Sequence, residues 1–283
     1  MGKHFIKKVG IIFIMGGAFL LILAYLWLIS PMTSPNTDVL SDNNYYIAHA
    51  AGAIDGNTYL NCKEALLQSL DNGYKYIELD LAMTADSTIV CAHDWEHFHK
   101  IAVDGTINMA NPMSEQEFQQ SKILGRYTPL TLEEAIRIRK NHPYIIVTDK
   151  ISEPQILNRY FVGDRNTVMV EAFTISDYVE LKKVGYIPMI SLWHFDYSSI
   201  FWDFIYYPLR YNQRIDWICI HSSSNIKALR ILKRFFNCKV AMYTSNSPSF
   251  FKEHLGKEID LVYTDNWDMK TKTNNDTINT KTY

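Results

Sequence analysis

Short apolar runs rich in Ile, Val and Tyr recur along the chain, at about 45–49, 76–81, 144–149, 167–172, 187–192, 215–220, 238–243 and 260–264. Most are separated by stretches whose apolar residues return every three or four positions, which predicts strands alternating with helices. Asn61 to Leu70 carries Ala65, Leu66 and Leu70 at helical spacing. Thr131 to Lys140 opens with Thr131 and Glu134 in capping-box positions and closes before His142-Pro143. Ser176 to Val184, Ser224 to Phe236 and Ser247 to Leu255 each open on a serine. Eight strands alternating with helices over residues 45–267 predict an α/β fold, a (β/α)8 barrel of TIM type, with an open doubly wound sheet as the alternative.

The alternation breaks once. Only a few residues, Ala85-Asp86-Ser87 among them, separate the strand ending near Leu81 from the run Thr88 to His93. A parallel crossover needs a dozen or more residues, so an antiparallel hairpin is expected. With Asp86 and Ser87 at its centre, Asp80 stands opposite His93, and Glu78 shares their face because side chains alternate with period two.

The N-terminus follows neither pattern. Lys3, His4, Lys7 and Lys8 precede an apolar run from Val9 to Ile29. About 20 such residues in a helix cross the roughly 30 Å hydrocarbon core. The run exceeds the apolar length of a signal peptide, and Leu-Trp-Leu-Ile-Ser-Pro lacks a small-x-small cleavage site. One retained transmembrane helix is therefore expected before the barrel, with the N-terminus cytoplasmic and the rest outside the cell membrane. The implied organisation is a cytoplasmic stub and signal anchor over 1–30, a tether over 31–44, the barrel over 45–267 and a polar disordered tail over 268–283.

Composition narrows the function. Of the 283 residues 47% are hydrophobic, enough for a sizeable core, and the net charge of −2 is spread without a basic face, which excludes a nucleic-acid footprint. Cys62, Cys91, Cys219 and Cys238 lack CxxC spacing, which argues against zinc or redox chemistry. They read as small buried hydrophobes, with a Cys219–Cys238 disulfide left open.

The residues able to carry chemistry are His49 at a strand end, Glu78-Leu79-Asp80, and His93-Asp94. A lone histidine at a strand end is more often structural than catalytic, and two strand acids taken alone can form a solvated face. In Tyr76-Ile77-Glu78-Leu79-Asp80-Leu81, however, the acids lie opposite the apolar Ile77, Leu79 and Leu81. With the apolar face on the helices, the acids point into the barrel, where charge is costly without a cation. Carboxylates at i and i+2 can share one divalent cation, Mg²⁺ or Ca²⁺. Two nearby histidines supply a general base and a general acid, and together these are the parts for cleaving a phosphodiester. Trp193, Trp202, Trp217 and Trp267 read as core, and the aromatic run Phe195 to Tyr211 reads as a helix on the barrel. His97 and His99 are expected on an exposed loop.

In order and spacing, His49-Ala-Ala-Gly52, Asn61, Gly73, Ile77-Glu78-Leu79-Asp80, Thr84-Ala-Asp86 and His93-Asp94 resemble the opening signature of the glycerophosphodiester phosphodiesterase family. Tyr243-Thr244-Ser245-Asn246 and Val262-Tyr263-Thr264-Asp265 are similar to its Thr-x-Asn and closing Thr-Asp strands. The resemblance implies a barrel with its site at the C-terminal strand ends. It makes His49 and His93 the acid/base pair, Glu78 and Asp80 metal ligands, Asp149 the third ligand as in the related sphingomyelinase D enzymes, and Lys150 and Asn61 substrate-binding residues. It departs at Ala50, where the family places a phosphate-binding arginine, at Lys150, which follows Asp149 directly and so points away in a regular strand, and at Ser87, where the hairpin turn carries Gly. The expected function is metal-dependent hydrolysis of a phosphodiester from a lipid or wall polymer. The alternatives are a lyase giving a cyclic phosphate and a silent barrel binding an anionic glycan or lipid.

Overall fold

The computed structural model describes residues 2–34, 38–102, 111–192, 214–268 and 273–274, with side chains from Ile14 to Asp268. Eight parallel strands close on themselves: β1 (Tyr46–Ala48), β2 (Tyr76–Met83), β5 (Ile145–Asp149), β6 (Val168–Ala172), β7 (Ile187–Ser191), β8 (Trp217–His221), β9 (Lys239–Tyr243) and β10 (Leu261–Thr264). Each pairs with the next around the ring, and β1 completes it by pairing with both β2 and β10. This is a TIM-type barrel, and the open sheet is excluded by its closure.

Both strand faces are buried, which is why the runs read as near-continuous apolar stretches. Inward, Ile47, Val147, Met169, Met189, Cys219, Ala241, Leu261 and Tyr263 fill the barrel. Outward, residues such as Ile77, Leu79, Val170, Ile190, Ile218 and Val240 pack beneath the helices. Those helices include α2 (Lys63–Asp71), α5 (Leu132–Asn141), α7 (Ile175–Val184), α8 (Ile226–Phe236) and α9 (Pro248–His254). Thr131 caps α5 by accepting from the Glu134 amide at 3.2 Å, and Ser247 caps α9. The cap of α7 is Thr174 rather than the expected Ser176, and that of α8 is Asn225 rather than Ser224, because in each case the other residue's oxygen meets the first free amides.

The hairpin is present with a shifted register. β3 (Ile89–Cys91) pairs antiparallel to β2 as Leu81↔Cys91, and then to β4 (Leu130–Thr131). Asp80 therefore lies opposite Ala92, whose amide it binds at 2.9 Å, and not opposite His93. The cause is a three-residue loop, with Ser87 in the left-handed region at φ 66, a conformation that favours glycine. His93 falls beyond the strand. Asp94 then accepts from the His97 amide at 2.7 Å and starts a helix, α3 (Trp95–Ala102), so His97 and His99 sit on a helix and His99 is buried.

The N-terminal residues form one helix, α1 (Gly2–Ile29). Among the described residues, no helix is long and apolar enough to cross a membrane. Parts of the expected tether lie on the barrel: Val39 is buried, and its carbonyl accepts from the Tyr46 hydroxyl at 3.0 Å. Trp267 is core, stacked on Tyr46. All four cysteines are free and buried, including Cys219 and Cys238. Trp193, Trp202, the run Phe195 to Tyr211 and most of the expected tail lie outside the described residues. Within that tail, Thr273–Asn274 pair with Trp267–Asp268.

Candidate active site

The C-terminal strand ends surround an open cavity of about 570 Å³, and six of the seven expected site residues line it. β2 and β5 run side by side in a register that sets Asp80 beside Asp149, and Glu78 lies two residues deeper on the same inward face. One carboxylate oxygen from each of Glu78, Asp80 and Asp149 lies within 4.8 Å of the others. Three converging oxygens, two of them on fully buried side chains, suit a hard divalent cation such as Mg²⁺ or Ca²⁺. Burial, followed by the charges of Asp80 and Asp149, pushes the Glu78 carboxyl well above its ordinary range. The Ala50 amide, donating to Glu78 Oε2 at 2.6 Å, works against that shift.

That amide comes from the turn holding His49. Ala50 is left-handed at φ 48, and Gly52 follows at φ 94, where a Cβ would lie 2.1 Å from Ser69 Oγ. Glycine is required there by space as well as by conformation. The position where the family carries arginine is thus a buried alanine whose backbone, not its side chain, serves the acids.

Asn61 stands behind the cavity wall. Fully buried and at φ 46, it donates from Nδ2 to Asp80 Oδ2 at 2.9 Å and accepts the Asp80 amide at 3.1 Å. Its place is that of a brace for Asp80, one of the three converging carboxylates. Lys150 does reach the cavity, because its backbone leaves the strand at φ 72 and swings the side chain inward. Its ammonium lies 3.0 Å from Asp149 and 3.8 Å from Asp80. Burial alone would depress the lysine, but these two carboxylates outweigh it and hold the lysine above its usual range.

Each histidine has its own aspartate. His49 Nδ1 lies 2.8 Å from Asp265 Oδ1, and the other oxygen of Asp265 accepts from Asn246 Nδ2 at 2.9 Å. Burial raises the Asp265 carboxyl, but the hydrogen bonds from His49 and Asn246 prevail and the net shift is downward. Asp265 is therefore ionised and only accepts, which puts the proton on Nδ1 and leaves Nε2 as the exchanging atom. His93 Nδ1 lies 2.6 Å from Asp94 Oδ2 in the same arrangement, with Asp94 also held low against its burial, chiefly by the His97 amide.

Three further residues at the site had no role in the sequence reading. Asp265 was visible only as part of the Thr-Asp strand. Glu171 faces inward from the end of β6, its carboxyl raised to about 8 by burial and by Asp149. A lone acid closing the apolar run Val168-Met-Val-Glu171-Ala172 was the signal for it. Tyr59, left-handed at φ 61, stands edge-on to both imidazoles, with ring centroids 4.5 Å from His49 and 5.9 Å from His93. Burial and the surrounding carboxylates raise its phenol to about 12, so it remains a proton-bearing donor.

Solved structures share this architecture. A glycerophosphoryl diester phosphodiesterase from Parabacteroides distasonis matches with a TM-score of 0.57 at 16% identity, covering 83% of this chain and 90% of that one. An Oleispira antarctica phosphodiesterase solved with its product sn-glycerol-3-phosphate matches at 0.58 and 17%, covering 80% and 94%. A glycerophosphodiester phosphodiesterase from Thermotoga maritima matches at 0.56 and 18%, covering 80% and 95%. At such identities the likeness establishes the fold. No curated protein matches the chain. The model of the glycerophosphoryl diester phosphodiesterase family matches residues 55–201, just over half of the sequence. With the acids and histidines assembled at one barrel mouth, the chain belongs to the glycerophosphoryl diester phosphodiesterase family, whose members are phosphoric diester hydrolases.

Proposed function

We propose that this barrel hydrolyses a glycerophosphodiester-like bond by histidine acid/base catalysis with the help of one divalent cation, on the outer side of the membrane in which α1 is anchored. The observation that carries this reading is the pairing of His49 with Asp265 and His93 with Asp94 across one mouth from Glu78, Asp80 and Asp149. Glu78, Asp80 and Asp149 would hold the cation, which would supply charge stabilisation there. One imidazole takes the proton from the attacking oxygen, which is water or a neighbouring substrate hydroxyl. The other returns a proton to the leaving alkoxide, and both do so through Nε2 because Nδ1 is committed to its aspartate. Lys150 and the Tyr59 hydroxyl are the donors at the mouth that meet the phosphate where Ala50 offers none.

The anchor rests on the apolar run and the lysines before it. Ala50 favours a second reading, a barrel that binds an anionic glycan or lipid without turnover. Glycerol phosphate release from a panel of glycerophosphodiesters, with Mg²⁺, Ca²⁺ or chelator and with His49→Ala in parallel, separates the two. Turnover that needs the cation and fails in the variant supports hydrolysis. A folded chain that binds the cation and turns over none of them supports the silent barrel, and one that binds no divalent cation removes the carboxylate site.

A further inference from the structure

The origin of the diester is the question that reading leaves open, and the opposite end of the barrel bears on it. Helices that follow barrel strands run back antiparallel to them. The C-terminal end of α8, the start of β1 and the turn from α9 into β10 therefore all lie at the N-terminal strand ends, the base, away from the mouth. This is where α1 arrives. Arg234 of α8 donates to the carbonyls of Trp27, Leu28 and Ser30, and Arg230 donates to that of Ile29 at 2.9 Å. Two guanidiniums thus meet the last carbonyls of α1, which carry the negative end of its dipole.

The residues after the helix are fastened to the same place. Arg230 Nε binds Glu258 Oε1 at 2.7 Å, and the Met32 amide binds that oxygen at 3.3 Å. Glu258 is 1% exposed and belongs to the turn between α9 and β10. Ser34 sits so closely over that turn that a Cβ on Gly256 would fall 2.6 Å from its hydroxyl and 2.8 Å from that of Tyr45. From Ile14 to Trp27 every residue is exposed, Leu21 at 73% and Trp27 at 62%, so among the described side chains of α1 only those of the final turn touch the barrel.

The acids and histidines lie at the other end. β2 pairs with its barrel neighbour β5 over Tyr76–Asp80, and at about 3.3 Å per residue that puts roughly 13 Å of strand between the base and the acids at the mouth. Resting on the anchor reading above, we infer that α1 holds the barrel base-down on its membrane with the mouth turned away. The substrate is then a phosphodiester that is not part of the bilayer holding α1. It carries no chains embedded in that membrane and is met either as a small molecule in solution or as a repeat of a phosphodiester-linked polymer.

The test uses the full chain reconstituted into phospholipid vesicles carrying a quencher on the lipid headgroups. Glu96→Cys, exposed at the start of α3 beside the mouth, and Phe235→Cys, exposed near the end of α8 at the base, are labelled separately with a fluorophore. The native cysteines are all buried and leave the label to the introduced one. The Phe235→Cys label is expected to be quenched several-fold more than the Glu96→Cys label. In the same vesicles, a soluble glycerophosphodiester or a glycerol phosphate polymer, assayed in separate arms, releases product while the host phospholipid does not. Equal quenching of both labels, or host lipid cleaved as fast as the soluble diester, overturns the inference. A chain that fails to float with the vesicles overturns the anchor reading and the inference with it. Asymmetric quenching with no turnover in any arm upholds the orientation and removes the hydrolytic reading instead.

Discussion

The two sides of the mouth use the same chemical pair in opposite surroundings. His49 and Asp265 are 216 residues apart, meet only because β1 and β10 close the barrel, and have side chains 12% and 13% exposed. His93 and Asp94 are neighbours in sequence on the loop after the hairpin, with side chains 36% and 50% exposed. Charge coupling is strong where water is excluded and weak where it is not. The His49 side is therefore a preformed, rigid unit that stands or falls with the barrel. The His93 side is a local device whose partner water can partly replace.

The largest break in that comparison is His49→Ala, which removes the proposed general acid/base from the buried side; kcat is expected to fall about a thousandfold. Next, Asp265→Asn should lower kcat by roughly a hundredfold through loss of the tautomer that directs Nε2 to the substrate. Asp94→Asn should cost no more than about tenfold, because an exposed pair contributes little. Equal losses in the two variants, read from steady-state kinetics at one pH, would remove the asymmetry. Tyr59→Phe keeps both ring contacts and deletes one donor, so a decrease of about fivefold is expected, near the worth of one neutral hydrogen bond. Loss confined to KM would assign the hydroxyl to ground-state binding.

The smallest effect is on stability. The folded Asp265 carboxyl sits below the ordinary aspartate range, so it contributes stability above that range and loses it as pH falls through the folded value. The gap in urea midpoint between the parent and Asp265→Asn should be constant at neutral pH and narrow only in that acid window. The corresponding gap for Asp94→Asn should be small throughout.

Much of this was legible in the residues. Period-two alternation in Tyr76–Leu81 put Glu78 and Asp80 on one face, and their convergence with Asp149 follows from the pairing of β2 with β5. The alternation of strand and helix gave the closed barrel. What stayed hidden was set by single backbone dihedrals or by distant contacts. Left-handed Ser87 lengthens the hairpin loop and shifts the register by one residue, and left-handed Lys150 reverses the direction its side chain takes in a regular strand. Asp265 has no local pattern that announces His49, since only closure of the ring brings them together. Asn61 matched the family signature, yet its position braces Asp80 from behind.

Four acidic side chains at the mouth, Glu78, Asp80, Asp149 and Glu171, face the ammonium of Lys150, the one lysine among the described residues of the cavity. A cation and an anionic diester are therefore linked ligands of one acidic cup: the cation offsets the carboxylate repulsion that opposes the diester, and the diester's charge adds to the attraction for the cation. Linkage requires that whatever factor the cation adds to substrate affinity, the substrate adds to cation affinity. The apparent dissociation constant of the metal should thus shift with the diester present, which makes the concentration of substrate, as much as that of the ion, the quantity that decides how full the cup is.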